Sequence, residues 1–332
     1  MNTQWMIKTH GDPLGTVREF TKAVWGAFDL DRMVVPTNGH AKDTGPHLID
    51  DPDVLDDLNP FAPLMPINAA KLIPNLFKGD SPQVGAMLRP CEMRTLIEMT
   101  KQNGFDTGNL LTMSVDCLGT LPMDEYQWRV ERKGSPKGLT QEALRFSRQG
   151  GIVRYRYRSA CQVCISPQAT MADINIGILG LPVRQYALIT IQDQSLAKAL
   201  NLSAMAEAEI DAEMLESHQR VTSRLVQRSE NTRERIANGL AELLPENVAA
   251  LIDQLRSCGD CSTCLDVCPL CDIHYPQRAE DGRFRESEAM RWLISCSGCG
   301  ICEQSCPQHL PLTIIFNHIQ TQLAEEFAYE AG

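Results

Sequence analysis

Residues 258–269, CGDCSTCLDVCP, and residues 296–307, CSGCGICEQSCP, share the spacing Cys-x2-Cys-x2-Cys-x3-Cys-Pro. In this pattern three thiolates bind one iron-sulfur cube, and the fourth cysteine, before the proline, binds the cluster of the other copy. Gly259, Gly298 and Gly300 let the backbone turn closely around the sulfurs and point amide groups at them. The repeat therefore predicts a ferredoxin-like domain with two 4Fe-4S clusters. The expected ligand sets are Cys258, Cys261, Cys264 with Cys306, and Cys296, Cys299, Cys302 with Cys268.

Two other kinds of site share parts of this pattern. Zinc also binds paired Cys-x2-Cys motifs, but two pairs suffice for zinc, and a triplet plus Cys-Pro occurring twice is then unexplained. The spacing Cys264-x3-Cys268-x2-Cys271 imitates the signature of radical enzymes that use S-adenosylmethionine, which belongs near the start of a large barrel domain. Only a short segment follows Cys271. We therefore expect iron-sulfur ligation, with Cys271 left as a spare, partly buried thiol.

The composition is that of a soluble globular protein. Of the 332 residues, 43% are hydrophobic, and the net charge of -11 argues against nucleic acid as a partner. No N-terminal signal pattern is present, and the apolar runs are too short to span a bilayer. We therefore expect a cytoplasmic protein. Thirteen cysteines in a reducing compartment favour metal binding over disulfides.

The first 194 residues alternate strand-like and helical patterns. Several apolar runs have the length of strands, and residues 92–102, between two of them, suit a short helix packed on a sheet. This βαβ order predicts a parallel sheet in an α/β domain that covers residues 1–194. The expected strands are residues 33–36, 84–89, 109–115, 153–158, 173–179 and 186–192.

The remaining chain divides into three segments. Residues 195–257 are rich in Ala, Leu, Glu and Arg and contain no aromatic residue, which predicts a helical connector. Residues 258–311 are the expected dicluster domain. Residues 312–332 are expected to form a C-terminal helix, whose apolar stripe either covers its own domain or binds a partner subunit. The stripe consists of Ile314, Ile315, Ile319 and Leu323.

Four further cysteines lie in short motifs of the α/β domain. Cys91 and Cys117 each follow a predicted strand, at the edge where α/β proteins bind ligands, and Cys161 and Cys164 form a Cys-x2-Cys pair. Together these motifs resemble the beta subunits of hydrogenases and formate dehydrogenases that use the deazaflavin coenzyme F420. The DVCPLC sequence of residues 266–271 is closer to the formate dehydrogenase branch. The resemblance rests on RPCEMR at 89–94, VDCLG at 115–119, CQVC at 161–164, ADI at 172–174 and GILG at 177–180.

The resemblance implies a third 4Fe-4S cluster in the α/β domain. Its ligands would be Cys91, Cys117, Cys161 and Cys164. The number of cysteines is compatible, because eight for two clusters and four for a third leave Cys271 alone. The alternative is that Cys91 and Cys117 are small buried residues at strand ends.

The resemblance also implies FAD in the α/β domain. Gly11, Gly15 and Thr16 form a glycine-containing turn, in which Thr16 is expected to cap a helix whose N-terminus faces a phosphate. Plain helix capping is the alternative, and relatives often show a double glycine that this chain lacks. Pro66 and Asn68 lie where the relatives have another nucleotide-contacting loop. We therefore expect FAD to contact these two segments.

These features together predict an α/β flavin and iron-sulfur domain, a helical connector and a ferredoxin-like dicluster domain. The expected function is that of an electron-transfer subunit of an oxidoreductase complex, because FAD exchanges two electrons and clusters pass electrons singly. The expected partners are a catalytic subunit of formate dehydrogenase or hydrogenase type and other electron-transfer subunits. Ferredoxin, NAD(H) and the deazaflavin coenzyme stay open as electron carriers. The alternatives are a flavin-free electron relay and a structural zinc protein. No catalytic residues are predicted.

Overall fold

The computed structural model describes residues 3–38, 44–77, 83–103, 107–149, 156–202 and 211–330. Within these residues, a seven-stranded mixed sheet forms the centre of the N-terminal part, with the strand order β1-β7-β6-β5-β4-β2-β3. The strands are β1 Thr3–Lys8, β2 Arg32–Thr37, β3 Gly45–Ile49, β4 Val84–Leu88, β5 Leu110–Val115, β6 Ile174–Gly177 and β7 Tyr186–Ile191.

The centre of the sheet is parallel, as the βαβ pattern predicted. The neighbouring strands β2, β4, β5 and β6 run parallel, whereas β3 pairs antiparallel with β2, and β7 pairs antiparallel with both β6 and β1. All residues of β4 are buried, which is typical of a strand covered on both faces. The same chain direction is therefore shared by five strands, namely β1, β2, β4, β5 and β6. We call the edge at which they end the carboxyl edge.

The sequence located the central strands better than the outer ones. Five predicted strands correspond to β2, β4, β5, β6 and β7, whereas β1 and β3 were missed. The expectation of a purely parallel sheet is wrong at β7, because the connection of residues 178–185 is too short for the crossover that a parallel pair needs. The strand predicted at 153–158 is not observed over residues 156–158, and residues 153–155 lie outside the described part of the chain.

Helices surround the sheet and form most of the C-terminal part. The described α-helices are α1 Pro13–Ala27, α2 Pro90–Asn103, α3 Met123–Lys133, α4 Pro136–Phe146, α5 Ser159–Gln162, α6 Gln194–Ala199, α7 Ala212–Gly239, α8 Val248–Leu255, α9 Thr263–Asp266, α10 Pro269–Ile273, α11 Glu286–Ile294, α12 Ile301–Ser305 and α13 Leu312–Phe327. Short 3-10 helices cover Pro52–Asp57, Ala69–Phe77, Ser147–Gln149, Ala241–Leu243 and Arg256–Cys258. The predicted connector contains α6, α7 and α8, and α7 also joins the α/β core through Leu225. No helix among the described residues combines the length and the apolar character that a bilayer crossing requires.

The residues around the C-terminal motifs form a second hydrophobic core. Trp292 of α11 meets Phe316 of α13 edge-on with ring centroids 5.0 Å apart, and it lies 6.1 Å from the ring of Phe284. The apolar stripe of α13 is buried in the same core, and Ile319 within it is 0% exposed. Of the two alternatives for the stripe, the structure therefore shows packing within the chain itself.

We predict that Ile319→Ala lowers the free energy of unfolding of the C-terminal part by about 2–5 kcal/mol, because it leaves a cavity in this core. Anaerobic denaturant titration followed by cluster absorbance measures the change. Glu325→Ala, at an exposed position of the same helix, should stay within about 0.5 kcal/mol of the unmodified protein. Equal midpoints for the two variants would show that α13 does not support the clusters.

Candidate iron-sulfur and flavin sites

Four cysteines meet at the carboxyl edge of the sheet. Cys91 lies in the first turn of α2, shortly after β4, and Cys117 closely follows β5. Cys161 lies in α5, and Cys164 lies just beyond that helix. All four line one cavity of about 40 Å³. The structure therefore brings together the four residues of the third expected ligand set, although they come from three separate segments of the chain.

Backbone groups point at two of these sulfurs. The amide of Gly119 donates to Cys117 Sγ at 3.4 Å, and the amide of Thr120 donates to Cys161 Sγ at 3.4 Å. Gly119 has a φ of +93°, and a Cβ there would lie 2.6 Å from the Tyr157 ring. Position 119 thus requires glycine for its backbone conformation and for the close approach of the ring. Hydrogen bonds to the sulfurs are one of the features that set the properties of iron-sulfur clusters.

The pKa of Cys161 differs from those of its neighbours. Burial raises the pKa of Cys91 well above its usual value and that of Cys117 to about 11. At Cys161 burial also opposes ionisation, but the Arg158 guanidinium and hydrogen bonds from Thr120 outweigh it and lower the pKa. Of these three thiols, Cys161 is therefore the easiest to deprotonate. A metal centre must displace the protons of the other two, because thiolates are the metal-binding form. Four convergent sulfurs with amide donors fit such a centre.

The position of Cys117 depends on its neighbour Asp116. The Asp116 carboxylate is 1% exposed and accepts hydrogen bonds from the amides of Ala169 at 2.9 Å, Ile178 at 2.8 Å and Leu179 at 3.0 Å. These bonds tie the end of β5 to the turn after β6 and to the loop that follows the Cys-x2-Cys pair. Sequence reasoning missed Asp116. The available signal was a carboxylate placed between a buried strand and a cysteine.

The first C-terminal motif shares a cavity with a cysteine of the second. Cys258, Cys261 and Cys264 line a cavity of about 20 Å³ together with Cys306. Burial, and after it the charge of the neighbouring sulfurs, raises the pKa of Cys264 to about 12. The structure thus places Cys306 beside the three cysteines of the first motif, and its role as their fourth ligand stays a prediction.

Cys268 lies near the three cysteines of the second motif and also near Cys264 of the first. Burial is the main cause that raises the pKa of Cys296 to about 12 and the pKa of Cys302 well above its usual value, and the charge of Cys268 adds to both. The charge of Cys268 also acts on Cys299. Among the described residues, no three His, Cys, Asp or Glu side chains converge closely enough to hold one bare metal ion. The cysteines of the α/β domain and of the first motif instead surround cavities.

Cys271, the cysteine left over in the sequence, contacts a predicted ligand. It is 2% exposed, so it is more deeply buried than the sequence suggested. A hydrogen bond between the two thiols lowers the pKa of Cys268 to about 7 and raises the pKa of Cys271. Cys271 therefore acts as the donor to the sulfur of Cys268 rather than as a thiolate.

The second C-terminal motif packs directly on the α/β domain. The hydroxyls of Thr95 and Ser297 share a hydrogen bond of 2.6 Å. Gly300 has a φ of +69°, and a Cβ there would lie 2.3 Å from the Cβ of Ala160. Cys299 lines the same cavity as the four cysteines of the α/β domain, whereas the cavity of the first motif is lined by residues of the C-terminal part alone. The second motif is therefore the nearer one to the α/β cysteines.

The two segments expected to contact FAD lie apart. Gly11 follows β1 at one edge of the sheet, whereas Pro66 lies against Gly45 of β3 at the opposite edge. Asn68 is fully buried, and its side-chain amide donates to Thr95 Oγ1 at 2.9 Å, beside the second C-terminal motif. The structure therefore does not bring Pro66 and Asn68 to the same place as Gly11.

The helix after Gly11 is capped by a different residue from the one expected. Asp12 is the N-cap of α1, and its Oδ1 accepts from the amide of Gly15 at 3.0 Å. The hydroxyl of Thr16 donates instead to the carbonyl of Asp12 at 3.0 Å. The expectation that Thr16 caps the helix is wrong, because Asp is a strong N-cap and stands directly before Pro13, which suits the first helical position. A carboxylate at this N-terminus also disfavours a phosphate there.

A large cavity lies on the other side of the same turn. It has a volume of about 490 Å³ and includes Gly11 and Asp12 in its wall. The basic side chains at the cavity are Lys137, Arg145, Arg148 and Arg184. The apolar part of the wall consists of Leu14, Leu144, Leu181 and Val183. The cavity therefore lies at the carboxyl ends of β1 and β6, combining an apolar wall with several positive charges.

Known proteins resemble this chain over most of its length. Residues 257–311 match the 4Fe-4S dicluster domain family. The beta subunit of F420-dependent formate dehydrogenase from Methanocaldococcus jannaschii is 22% identical over 308 residues, which cover 80% of this chain and 78% of the relative. The beta subunit of F420-dependent formate dehydrogenase 1 from Methanococcus maripaludis is 22% identical over 287 residues, covering 75% and 73% of the two chains. Over most of its length the chain is therefore similar to these beta subunits.

A solved structure supports the fold. A chain of the F420-reducing NiFe hydrogenase complex from Methanosarcina barkeri aligns with a TM-score of 0.50, and the alignment covers 71% of this chain and 91% of that chain at 12% identity. The resemblance predicted from the cysteine motifs is confirmed by the similarity to the formate dehydrogenase beta subunits, and the match to the dicluster family confirms that domain at the C-terminus.

We predict that Cys306→Ala damages the cluster of the first motif, because Cys306 lines that cavity, and leaves the cluster of the second motif intact. Electron paramagnetic resonance of the anaerobic, reduced protein distinguishes the two clusters. Cys302→Ala is the matched comparison, since Cys302 belongs to the second motif, and it should damage the cluster of that motif instead. Loss confined to the second-motif cluster in Cys306→Ala would show that the ligands are not exchanged.

Proposed function

We propose that this beta subunit is an iron-sulfur flavoprotein that links two-electron chemistry at FAD to one-electron transfer through three 4Fe-4S clusters, within an oxidoreductase complex. The observation that carries the proposal is the arrangement at the carboxyl edge. There the four-cysteine cavity includes Cys299 of the second motif, and the basic cavity lies beyond the end of β6, the strand next to β5. Redox groups that exchange electrons must lie close together, and this order provides one continuous path.

The third cluster is supported by the chemistry of its cavity. Four sulfurs from separate segments converge there, amides donate to two of them, and the buried guanidinium of Arg158 lies beside them. If these cysteines were only small buried residues at strand ends, neither the amide donors nor the buried cation would be needed. Cys91, Cys117, Cys161 and Cys164 are therefore proposed as the ligands, in addition to the eight cysteines of the two C-terminal motifs.

The flavin is assigned to the basic cavity at the end of β1 and β6. Its volume of about 490 Å³ falls within the range of about 300–1,000 Å³ that is common for cofactor sites. The basic side chains suit the pyrophosphate, and the apolar wall suits a ring system from which water must be excluded. Gly11 stays in this proposal as a wall residue. Gly15 and Thr16 instead take part in the N-terminal turn of α1, and Pro66 and Asn68 lie elsewhere in the fold. None of these four residues is assigned to the flavin.

The neighbouring positions of the two sites explain how they would work together. β5 and β6 are adjacent in the sheet, so their ends lie about 5 Å apart, with the four-cysteine cavity after β5 and the basic cavity after β6. FAD supplies the exchange of an electron pair in the form of a hydride and its release as single electrons. The protein's own side chains bind the anionic groups, exclude water and keep the two sites at a constant separation.

The proposed partner is a catalytic subunit of formate dehydrogenase or hydrogenase type. Both curated relatives are beta subunits of formate dehydrogenases, and the structural relative belongs to a hydrogenase complex. Within this chain the first C-terminal motif is the one farther from the α/β cysteines, so electrons are exchanged with the partner there. Ferredoxin, NAD(H) and coenzyme F420 are the candidate carriers on the flavin side.

A flavin-free relay is the second candidate function. It is favoured by one observation, the Asp12 carboxylate that occupies the N-terminus of α1 where a nucleotide phosphate was expected. In that case the basic cavity holds no flavin, and the chain only passes single electrons between its partners.

We predict that the anaerobically purified chain contains about twelve iron and twelve sulfide ions and one FAD, which follows from three clusters of four iron ions. Metal and sulfide analysis, with chromatography of the flavin released on denaturation, measures these amounts. A content of about eight iron ions would rule out the third cluster and leave only the two clusters of the dicluster domain. Twelve iron ions without flavin would establish the relay.

We predict that Arg184→Glu weakens FAD binding at least tenfold, because Arg184 lies at the basic cavity and the substitution reverses a charge facing the pyrophosphate. Titration of the flavin-free protein with FAD, followed by quenching of flavin fluorescence, measures the dissociation constant. Arg132→Glu, on the exposed side of α3, is the matched control and should bind FAD normally. Equal affinities for the two variants would place the flavin elsewhere.

A further inference from the structure

Arg158 is a buried cation at the contact between the two cluster-bearing parts of the chain. It is 6% exposed, and its Nε donates to Thr120 Oγ1 at 2.8 Å. Thr120 in turn contacts the sulfur of Cys161 through its hydroxyl at 3.2 Å. On the opposite side, the guanidinium donates to the carbonyl of Cys299 at 3.2 Å and to Oε1 of Gln304 at 3.1 Å. One side chain therefore bridges the α/β cysteines and the second C-terminal motif.

The positive charge of Arg158 has no carboxylate partner within ion-pair distance among the described residues. Its hydrogen bonds go to neutral oxygens and to the sulfurs of Met65 and Cys161, and the negative groups that act on it are the sulfurs of Cys161, Cys91 and Cys299. A buried charge without a counter-charge is strongly destabilising. The balance is restored if both neighbouring sets of thiolates hold clusters, because a cluster with four thiolate ligands is negatively charged.

We propose that Arg158 is a positioning residue that serves as the shared counter-cation of the α/β cluster and the second-motif cluster and raises the reduction potential of both. The proposal rests on the three-cluster function proposed above. Reduction adds an electron to an anionic cluster, and a fixed cation nearby stabilises the more negative, reduced form. Net charge and hydrogen bonding around a cluster are the general determinants of its potential. Arg158 thus shifts the potentials of two neighbouring clusters in the same direction.

Other basic residues near the sulfurs are placed differently. Arg94 faces Cys91 and Cys296, but it is half-buried at a solvent-accessible cavity, where its charge is more strongly screened. Arg89 is buried beside Cys117, and its guanidinium donates to carbonyls of its own domain. Arg158 is distinguished from both by its burial together with direct hydrogen bonds to the second motif.

The test is a redox titration of the full chain, monitored by electron paramagnetic resonance, with Arg158→Gln, Arg158→Lys and Gln304→Glu. Arg158→Gln should lower the potentials of the α/β and second-motif clusters by at least 59 mV, which is a tenfold change in a one-electron equilibrium. The potential of the first-motif cluster should not change. Arg158→Lys keeps the charge and should show a smaller shift. Arg156→Gln, two residues away and exposed, is the matched control and should show none.

Gln304→Glu keeps the guanidinium in place and neutralises its charge, so it should lower the same two potentials. It also decides the question if Arg158→Gln fails to assemble its clusters. Unchanged potentials in Gln304→Glu, or an equal shift of all three clusters in Arg158→Gln, would overturn the proposal. Iron loss in both Arg158 variants with no shift in Gln304→Glu would make Arg158 a structural residue only. An unmodified chain with eight iron ions would instead refute the three-cluster function, before any variant is compared.

Discussion

The buried carboxylate of Asp116 is the interaction on which the rest of the α/β site depends. A buried charge is tolerated only when several donors satisfy it, and three backbone amides do so here. One of these amides belongs to the loop after Cys164 and two belong to the turn after β6. His218 of α7 adds a further contact, since its Nδ1 donates to the carbonyl of Leu179 at 2.7 Å. Cys117 follows Asp116 directly, so the hydrogen bonds that hold the carboxylate also hold the cysteine.

The turn that follows β6 contributes to both proposed redox sites. Residues 178 and 179 bind Asp116 beside the four-cysteine cavity, and Leu181 and Val183, a few residues later, line the basic cavity. The turn after β6 therefore connects the support of Cys117 to the wall of the basic cavity. The turn is itself held against α7, where a Cβ at Gly180, whose φ is +73°, would lie 2.5 Å from the Ser217 carbonyl oxygen. Electron transfer between a flavin and a cluster needs a fixed distance between the two groups, and the packing of this turn against α7 favours such a distance.

The sequence predicted the dicluster domain well and the α/β site only through the family resemblance, for a physical reason. The ligands of the C-terminal clusters are specified by local spacing, and the exchange of Cys268 and Cys306 is part of the same motif. The α/β cysteines lie far apart in sequence, and the strand order that brings Cys91 and Cys117 together is a property of the whole sheet. Arg158 could not be recognised as part of the site from the sequence, because a lone arginine does not reveal whether it is buried. The cap of α1 was assigned to Thr16 although Asp12 was available, an error of local chemistry.

The loop of the first C-terminal motif is exposed, and in the proposed function this accessibility indicates where a partner exchanges electrons with the chain. The second motif is pressed against α5 so closely that Gly300 has no room for a side chain beside Ala160. The first motif lies beyond it, and its loop carries the exposed residues Gly259 and Asp260 next to Cys261. The α/β domain covers part of the second motif, whereas the loop of the first motif is exposed. The function proposed above accordingly assigns hydride chemistry to the sheet and single-electron exchange with a partner to the first motif, at opposite ends of the proposed path.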